Sequence, residues 1–344
     1  MSNLHLITGG SGFIGSNIAK LLVAKGEKVR IFDIWKSEEL PKQVEFIKAD
    51  ILDKKSVDKA CLGVTHIHHN VALVPLTKAG KKYQDVNVGG TEIIIEMAKK
   101  HKVKMLCHMS SSAIFGAPNE MPIPPEGKMD ALEIYGQAKA DADMLVRNAM
   151  AEGLPACCIR PRTVIGLGRL GIFEILFDWI KDNANILIIG KGDQLFQFVH
   201  VDDIAEVSIL AGLQEKSGLY NVGTNKFSTL REDLEYLIKT VGKKSKVKSL
   251  PVALSIFALT ILDKIGLSPL SPWHYLTYHK AFYYDTEHVT KALGWKPKYS
   301  NRDMMVDAYN HFIKTFDENN VQEDASSHKK PVKQGILKLL KKIV

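Results

Sequence analysis

The sequence predicts an α/β protein built on a doubly wound parallel sheet. Two observations carry that prediction. Short apolar runs alternate with helix-length amphipathic runs through the first 160 residues, and a glycine string stands between the first apolar run and the first helical one. Hydrophobic residues make up 45% and charged residues 24% of the 344, which excludes a disordered or fibrous chain and supplies a substantial core.

Taken in order, Leu4–Thr8 has the length of a buried strand, and Ile14–Ala24 repeats its apolar residues at helical spacing. Lys28–Phe32, Val44–Lys48, His66–His69, Val103–Met109 and Ala156–Ile159 read as further strands. Val86–Lys99 and Gln137–Met150 read as the helices between them. After Pro161 the pattern loosens into short strands, helices and Gly/Pro punctuation. Residues 1–160 are therefore expected to form a nucleotide-binding domain to which parts of the later chain return. Residues 161–316 form mainly a smaller mixed α/β substrate lobe, 317–333 a polar linker, and 334–344 a basic amphipathic helix.

Net charge is +8, and all but two of those charges fall in residues 328–344, which hold six Lys and no acid. A near-neutral body with a basic tail argues against a nucleic-acid-binding fold. In the tail, Ile336, Leu337, Leu339, Leu340, Ile343 and Val344 share one face, with Lys338, Lys341 and Lys342 opposite. That pattern suits a reversible contact with the inner face of a membrane, or docking on the protein's own body. The longest nearly apolar run, Val252–Leu262, is too short to span a bilayer. The four cysteines form no CxxC pair, and no signal-like segment precedes Leu4, so a cytoplasmic protein is expected.

Thr8–Gly15 reads TGGSGFIG. Gly10, Gly12 and Gly15 fit G-x-G-x-x-G, and Gly9, Gly12 and Gly15 the related G-x-x-G-x-x-G; with Phe13 and Ile14 they form a turn and helix N-terminus able to hold a pyrophosphate. Asp33 ends the second strand, where a carboxylate accepts both adenosine-ribose hydroxyls and repels a 2′-phosphate. This Rossmann-type fingerprint favours NAD over NADP. Tyr135 and Lys139 stand i, i+4 at the start of a helix, and a nearby ammonium stabilises a phenolate that would otherwise form only near pH ~10. Ser110, Ser111 and Ser112 end a strand upstream, where a hydroxyl can share a proton between substrate and Tyr135. His66, His68 and His69 alternate along a strand without a carboxylate cluster, so no metal is expected. His200 is read as orienting Asp202 or the substrate.

These segments, with HNVA at His69–Ala72, NVGGT at Asn87–Thr91, SSSAIFG, YGQAK, IRP at Ile159–Pro161, FVHVDD at Phe198–Asp203 and LGWKP at Leu293–Pro297, resemble the extended short-chain dehydrogenase/reductases of the NAD-dependent epimerase/dehydratase family. The resemblance covers residues 3–316. It implies catalysis by Ser111, with Ser112 the next choice, together with Tyr135 and Lys139, both of which also bind the cofactor. It also implies that Asp50 and Ile51 flank the adenine, that Val71 and Ala72 line the cofactor, and that Asn87 supports the site.

Departures from the family pattern narrow the chemistry. Dehydratases follow the catalytic Thr with Asp-Glu, and Ser112–Ala113 stands there instead. UDP-sugar epimerases hold the pyrophosphate with an Arg at the position of Phe196, and often have Asn at that of Thr163. A second Arg has no match, Lys280 being the only fixed cation in Pro272–Asp285, so Arg162 or Arg169 is left to compensate. Leu250–Leu270 resembles the membrane-proximal segment of 3β-hydroxysteroid dehydrogenase-like members and of epimerases of polyprenyl-linked sugars. The expectation is an NAD-dependent epimerase-type oxidoreductase, with homodimer formation, acting on a nucleotide- or lipid-linked sugar. The alternatives are oxidation or reduction of a hydroxy or keto lipid, and a non-catalytic NAD-binding regulator.

Overall fold

The computed structural model describes residues 3–75, 79–167, 170, 173–266, 268, 270, 272–315 and 341. Its centre is a seven-stranded parallel sheet of β1 (Leu4–Thr8), β2 (Lys28–Asp33), β3 (Glu45–Lys48), β4 (His66–His69), β5 (Met105–Met109), β6 (Ala156–Pro161) and β10 (Gly218–Val222). The spatial order is β10-β6-β5-β4-β1-β2-β3, so the chain winds outward in both directions from between β1 and β4. Every pairing is parallel, with Thr8 opposite Phe32 and His69, His69 opposite His108, and Met109 opposite Ile159. That register brings the carboxyl ends of the central strands to one edge, the place where open α/β sheets bind ligands.

Both faces are covered, which is why β1 and β5 are largely apolar and the His-rich β4 is buried throughout. α1 (Phe13–Ala24) and α6 (Val201–Leu213) pack on one face, where Ile7, Ile31, Ile18 and Ile209 are buried together. α2 (Lys54–Ala60), α3 (Gly90–Lys100) and α4 (Ile134–Ala151) cover the other, with Leu6, Phe32, Ile94 and Val146. Cys158 joins this second face and Cys157 the opposite one, as pleat alternation requires. Asp53 caps α2 by accepting from the Lys55 and Ser56 amides. The expected helix over Val86–Lys99 begins instead as a π-helical turn at Gln84–Gly89. There Asn87 turns inward and pairs with both backbone groups of Leu73, 2.8 Å to its N and 3.2 Å to its O.

Beyond Pro161 the chain builds a second core and then returns to the first. β7 (Thr163–Ile165) pairs with β9 (Phe198–His200), and β8 (Ile186–Ile189) with β11 (Val247–Leu250). α5 (Phe173–Lys181), α7 (Leu230–Thr240) and α11 (Asn301–Thr315) close over them, burying Phe177, Leu237 and Phe312. α7 starts with a capping box in which Thr229 and Glu232 satisfy each other's amides. α8 (Val252–Lys264) packs against α9 (Pro272–Thr277), and α10 (Glu287–Leu293) lies near β10.

The expected linker and tail helix lie outside the described residues except for Lys341. Its ammonium pairs with Asp178 and, at 2.7 Å, with Asp182 at the end of α5. Among the described residues, no helix is long and apolar enough to cross a membrane, and no group of three or more metal-capable side chains gathers.

The histidines of β4 are structural neighbours of other buried polar groups. His5 stacks on His66 and His68 at 4.6 and 5.3 Å between centroids, and His68 reaches Ser208 on α6 at 2.8 Å. His69 sits between Thr8 and Thr91, 2.7 and 3.1 Å away. Burial lowers His5 and His69 to about 3, so both are neutral in the fold. The unfolded chain protonates them below about pH 6.5. Their contribution to stability is therefore complete above that pH and is lost as pH falls toward the folded value. Lowering pH from 7 to 5 is expected to cost about 2 kcal/mol for each of the two, measured by urea denaturation. An unchanged urea midpoint would contradict it.

Candidate active site

A cavity of about 520 Å³ opens along the carboxyl edge of the sheet. Its first wall is the glycine turn. Gly9 has φ +67° and a Cβ there would meet the Val71 amide nitrogen at 2.9 Å, so the backbone of this turn packs directly on the β4 end. At Gly15 a Cβ would fall 2.3 Å from the Gly9 carbonyl oxygen, which lets α1 start immediately beneath the turn. Gly12 is the N-cap of α1 and brings no capping side chain. The positive end of the helix dipole thus faces the cavity lined by Gly12, Phe13 and Ile14.

Asp33 closes the same end. Its carboxylate accepts from the Ser11 and Ile34 amides at 3.0 and 2.8 Å. Burial raises its pKa, and those amide bonds pull it back down. Asp50, Ile51, Val71 and Ala72 line the cavity beside it. Asn87 does not reach the cavity; it holds Leu73, which does.

The chemical groups gather at the ends of β5 and α4. Ser111 sits in extended backbone and caps a short 3-10 turn, its Oγ accepting from the Ala113 amide at 3.1 Å. Tyr135 and Lys139 occupy the first turns of α4, which Glu133 caps by accepting from the Tyr135 and Gly136 amides at 3.1 and 3.0 Å. Lys139 is almost fully buried and its Nζ donates to the Met109 carbonyl at 2.5 Å. Burial lowers it to about 8, against the opposing pull of Asp143. Asp143 is itself committed to Arg160 through two bonds of 2.8 and 2.6 Å. Ser110, Ser111, Ser112, Tyr135 and Lys139 all line the one cavity. The arrangement offers hydroxyls and a phenol next to a desolvated ammonium, a set suited to moving a proton at an alcohol or carbonyl oxygen.

Of the residues expected around the substrate, Arg162 and Thr163 line the cavity with Ser112. Phe196 is buried behind that wall, its ring against the Arg162 guanidinium at 4.5 Å. His200 is not in the lining: its Nδ1 caps α6 by accepting from the Asp202 amide at 3.2 Å, and its ring stacks on Tyr299 at 3.8 Å. Lys280 is exposed and outside the lining. Arg169 lies outside the described residues. Sequence reasoning missed the wall made by Trp273, His274 and Tyr278, and missed Glu133. An acid immediately before a helix was a readable signal for Glu133, whereas nothing local places α9 against the cavity.

The glycine turn, the uncapped helix start and the Asp33 carboxylate fit a dinucleotide with a free ribose 2′-hydroxyl. Asp33→Ala should lower NAD affinity roughly 10- to 150-fold and remove the preference over NADP, read by titration calorimetry. Equal binding of NADP by the unmodified protein would contradict this reading.

A model of the NAD dependent epimerase/dehydratase family matches residues 5–223. An uncharacterised protein, y4nG of Sinorhizobium fredii, is 39% identical over 336 residues, covering 97% of this chain and 85% of its own. A putative UDP-glucose 4-epimerase of Methanocaldococcus jannaschii is 29% identical, covering 69% and 82%. Among solved structures, the Bordetella bronchiseptica enzyme WbmG in complex with NAD and UDP superposes with a TM-score of 0.75 at 21% identity, over 91% of this chain and 96% of that one. The chain is an NAD-dependent enzyme of the extended short-chain dehydrogenase/reductase type and belongs to the NAD-dependent epimerase/dehydratase family.

Proposed function

We propose that the protein is a sugar epimerase-type oxidoreductase acting at a secondary alcohol of a nucleotide- or lipid-linked sugar, with Tyr135 as the proton acceptor. The observation that carries this reading is the convergence of Ser111, Tyr135 and Lys139 on the cavity that the glycine turn and Asp33 also line. Gly12, Phe13, Ile14 and Gly15 would hold the pyrophosphate, Asp33 the adenosine ribose and Asp50 and Ile51 the adenine, with Val71 and Ala72 lining the cofactor. Bound NAD supplies the hydride acceptor. Lys139, anchored on Met109, keeps a positive charge near the phenol at neutral pH, since its lowered pKa of about 8 still leaves it mostly protonated. That charge favours the Tyr135 phenolate, which takes the hydroxyl proton of the substrate and returns it to the carbonyl oxygen. Ser111 donates a hydrogen bond to the same oxygen. Ser112 and Ala113 follow Ser111 without an acid, which disfavours elimination of water.

Tyr135→Phe should lower turnover by ~10²–10⁴ with little change in fold. Lys139→Met should raise the pH at which activity appears. Full activity of Tyr135→Phe on the true substrate would overturn the assignment. The NAD content of the purified protein separates net redox from epimerisation: an epimerase retains its cofactor and needs none added.

A second reading, oxidation or reduction of a hydroxy or keto lipid, is favoured by α8. None of its thirteen residues is buried, and Leu254, Phe257, Ile261 and the following Ile265 form an exposed apolar stripe at helical spacing. α8 packs on α9, whose Trp273 and His274 line the cavity, so this stripe supports a peripheral membrane contact beside the substrate wall. The full-length protein should float with anionic vesicles, and Phe257→Glu should reduce flotation. Flotation unchanged by Phe257→Glu would refute membrane contact through α8. A monomeric variant of a dimeric parent would instead make the stripe a subunit interface.

A further inference from the structure

Two arginines stand two residues apart at the end of β6, and the fold treats them differently. Arg160 is matched by the Asp143 carboxylate. Arg162, equally buried, has no carboxylate within ion-pair distance among the described residues. Its Nε donates to the Phe282 carbonyl at 3.0 Å and its Nη1 to Thr163 Oγ1 at 2.9 Å, while Nη2 has no acceptor. The guanidinium lies between the Phe282 and Phe196 rings, 4.1 and 4.5 Å from their centroids, with Trp273 at 5.7 Å.

Aromatic faces offset only part of the cost of enclosing a cation, and a buried charge ordinarily has a partner. Burial does push Arg162 down, to about 10, which still leaves it charged at neutral pH. Among the described lining residues it is, with Lys139, one of two fixed cations, and Lys139 is engaged with Met109. Asp33 is the last residue of β2 and Arg162 follows the end of β6, four strand spacings apart, or roughly 19 Å at ~4.8 Å per spacing. Ser111, at the end of β5, falls between them. A dinucleotide running from Asp33 to the serines leaves Arg162 on the substrate side.

We propose that Arg162 recognises the phosphate or diphosphate of the substrate, which supplies the counter-charge the protein withholds. The proposal rests on the linked-sugar reading, because a neutral hydroxylipid brings no anion to this wall. A guanidinium suits the role: its planar fork matches phosphate oxygens, and the Phe282 and Thr163 bonds fix its plane in advance. Thr163 and Trp273 complete the wall around it.

The test is titration calorimetry on the full-length, NAD-saturated protein with UDP, geranyl diphosphate, inorganic pyrophosphate and uridine. At least one diphosphate should bind the unmodified protein. Arg162→Gln should weaken that binding at least tenfold, and Arg162→Lys, which keeps the charge but not the fork, three- to tenfold. UDP binding above pyrophosphate marks a nucleotide-linked substrate, and geranyl diphosphate above pyrophosphate a lipid-linked one. NAD affinity of both variants should stay within threefold of the parent, which separates lost recognition from lost fold. If Arg162→Gln does not fold, Arg162→Lys carries the test alone. Diphosphate binding unchanged in the foldable variants, or absent from the unmodified protein, would overturn the proposal. Turnover of Tyr135→Phe tests the catalytic reading separately, so either can fail without the other.

Discussion

Parallel register is the constraint from which the site follows. Because each central strand pairs with its neighbour in the same direction, the turns after β1, β2, β4, β5 and β6 all emerge on one edge. Gly9 can then lie directly on the Val71 amide, and Gly15 beneath Gly9, with no side chain between them. The same register sets the Met109 carbonyl where Lys139 reaches it. A hydrogen bond from a buried ammonium to a backbone oxygen is a charged contact in a low dielectric, and it ties α4 to the strand that presents the serines. The glycine turn and the cluster of Ser111, Tyr135 and Lys139 are thus two consequences of one sheet.

The second core does a different job. Its strands β7 and β9 continue from the sheet's edge, and its helices present an aromatic wall to the opening. The family match ends at residue 223, whereas the superposition on WbmG covers 91% of the chain. Buried Phe196 and the caged Arg162 lie inside the family match, and the exposed α8 lies beyond it.

Much of the first half was legible in the sequence because burial on both faces leaves short, largely apolar runs such as those of β1 and β5. β1 and β4 have the expected bounds, and the others differ by one or two residues at an end. Asp33, Tyr135 and Lys139 could be placed because their spacing from strand and helix ends fixes them on the cavity edge. The π-helical turn was hidden, since Asn87 turns inward for a partner fourteen residues away rather than for its helical neighbours. The isolation of Arg162 was equally hidden. Sequence shows two arginines in IRPRT, and only the tertiary fold decides that Asp143 pairs with the first. Likewise a lysine such as Lys280 and a histidine such as His200 look available in the sequence, yet one points to solvent and the other caps a helix.

The central claim is that Tyr135 drives proton removal at a substrate alcohol in this cavity. The most direct test is a single-turnover experiment at 340 nm, mixing the NAD-loaded protein with a linked sugar it binds. The account predicts an absorbance rise in the unmodified protein that is at least about a hundredfold slower in Tyr135→Phe. A rise at the same rate in both would contradict it.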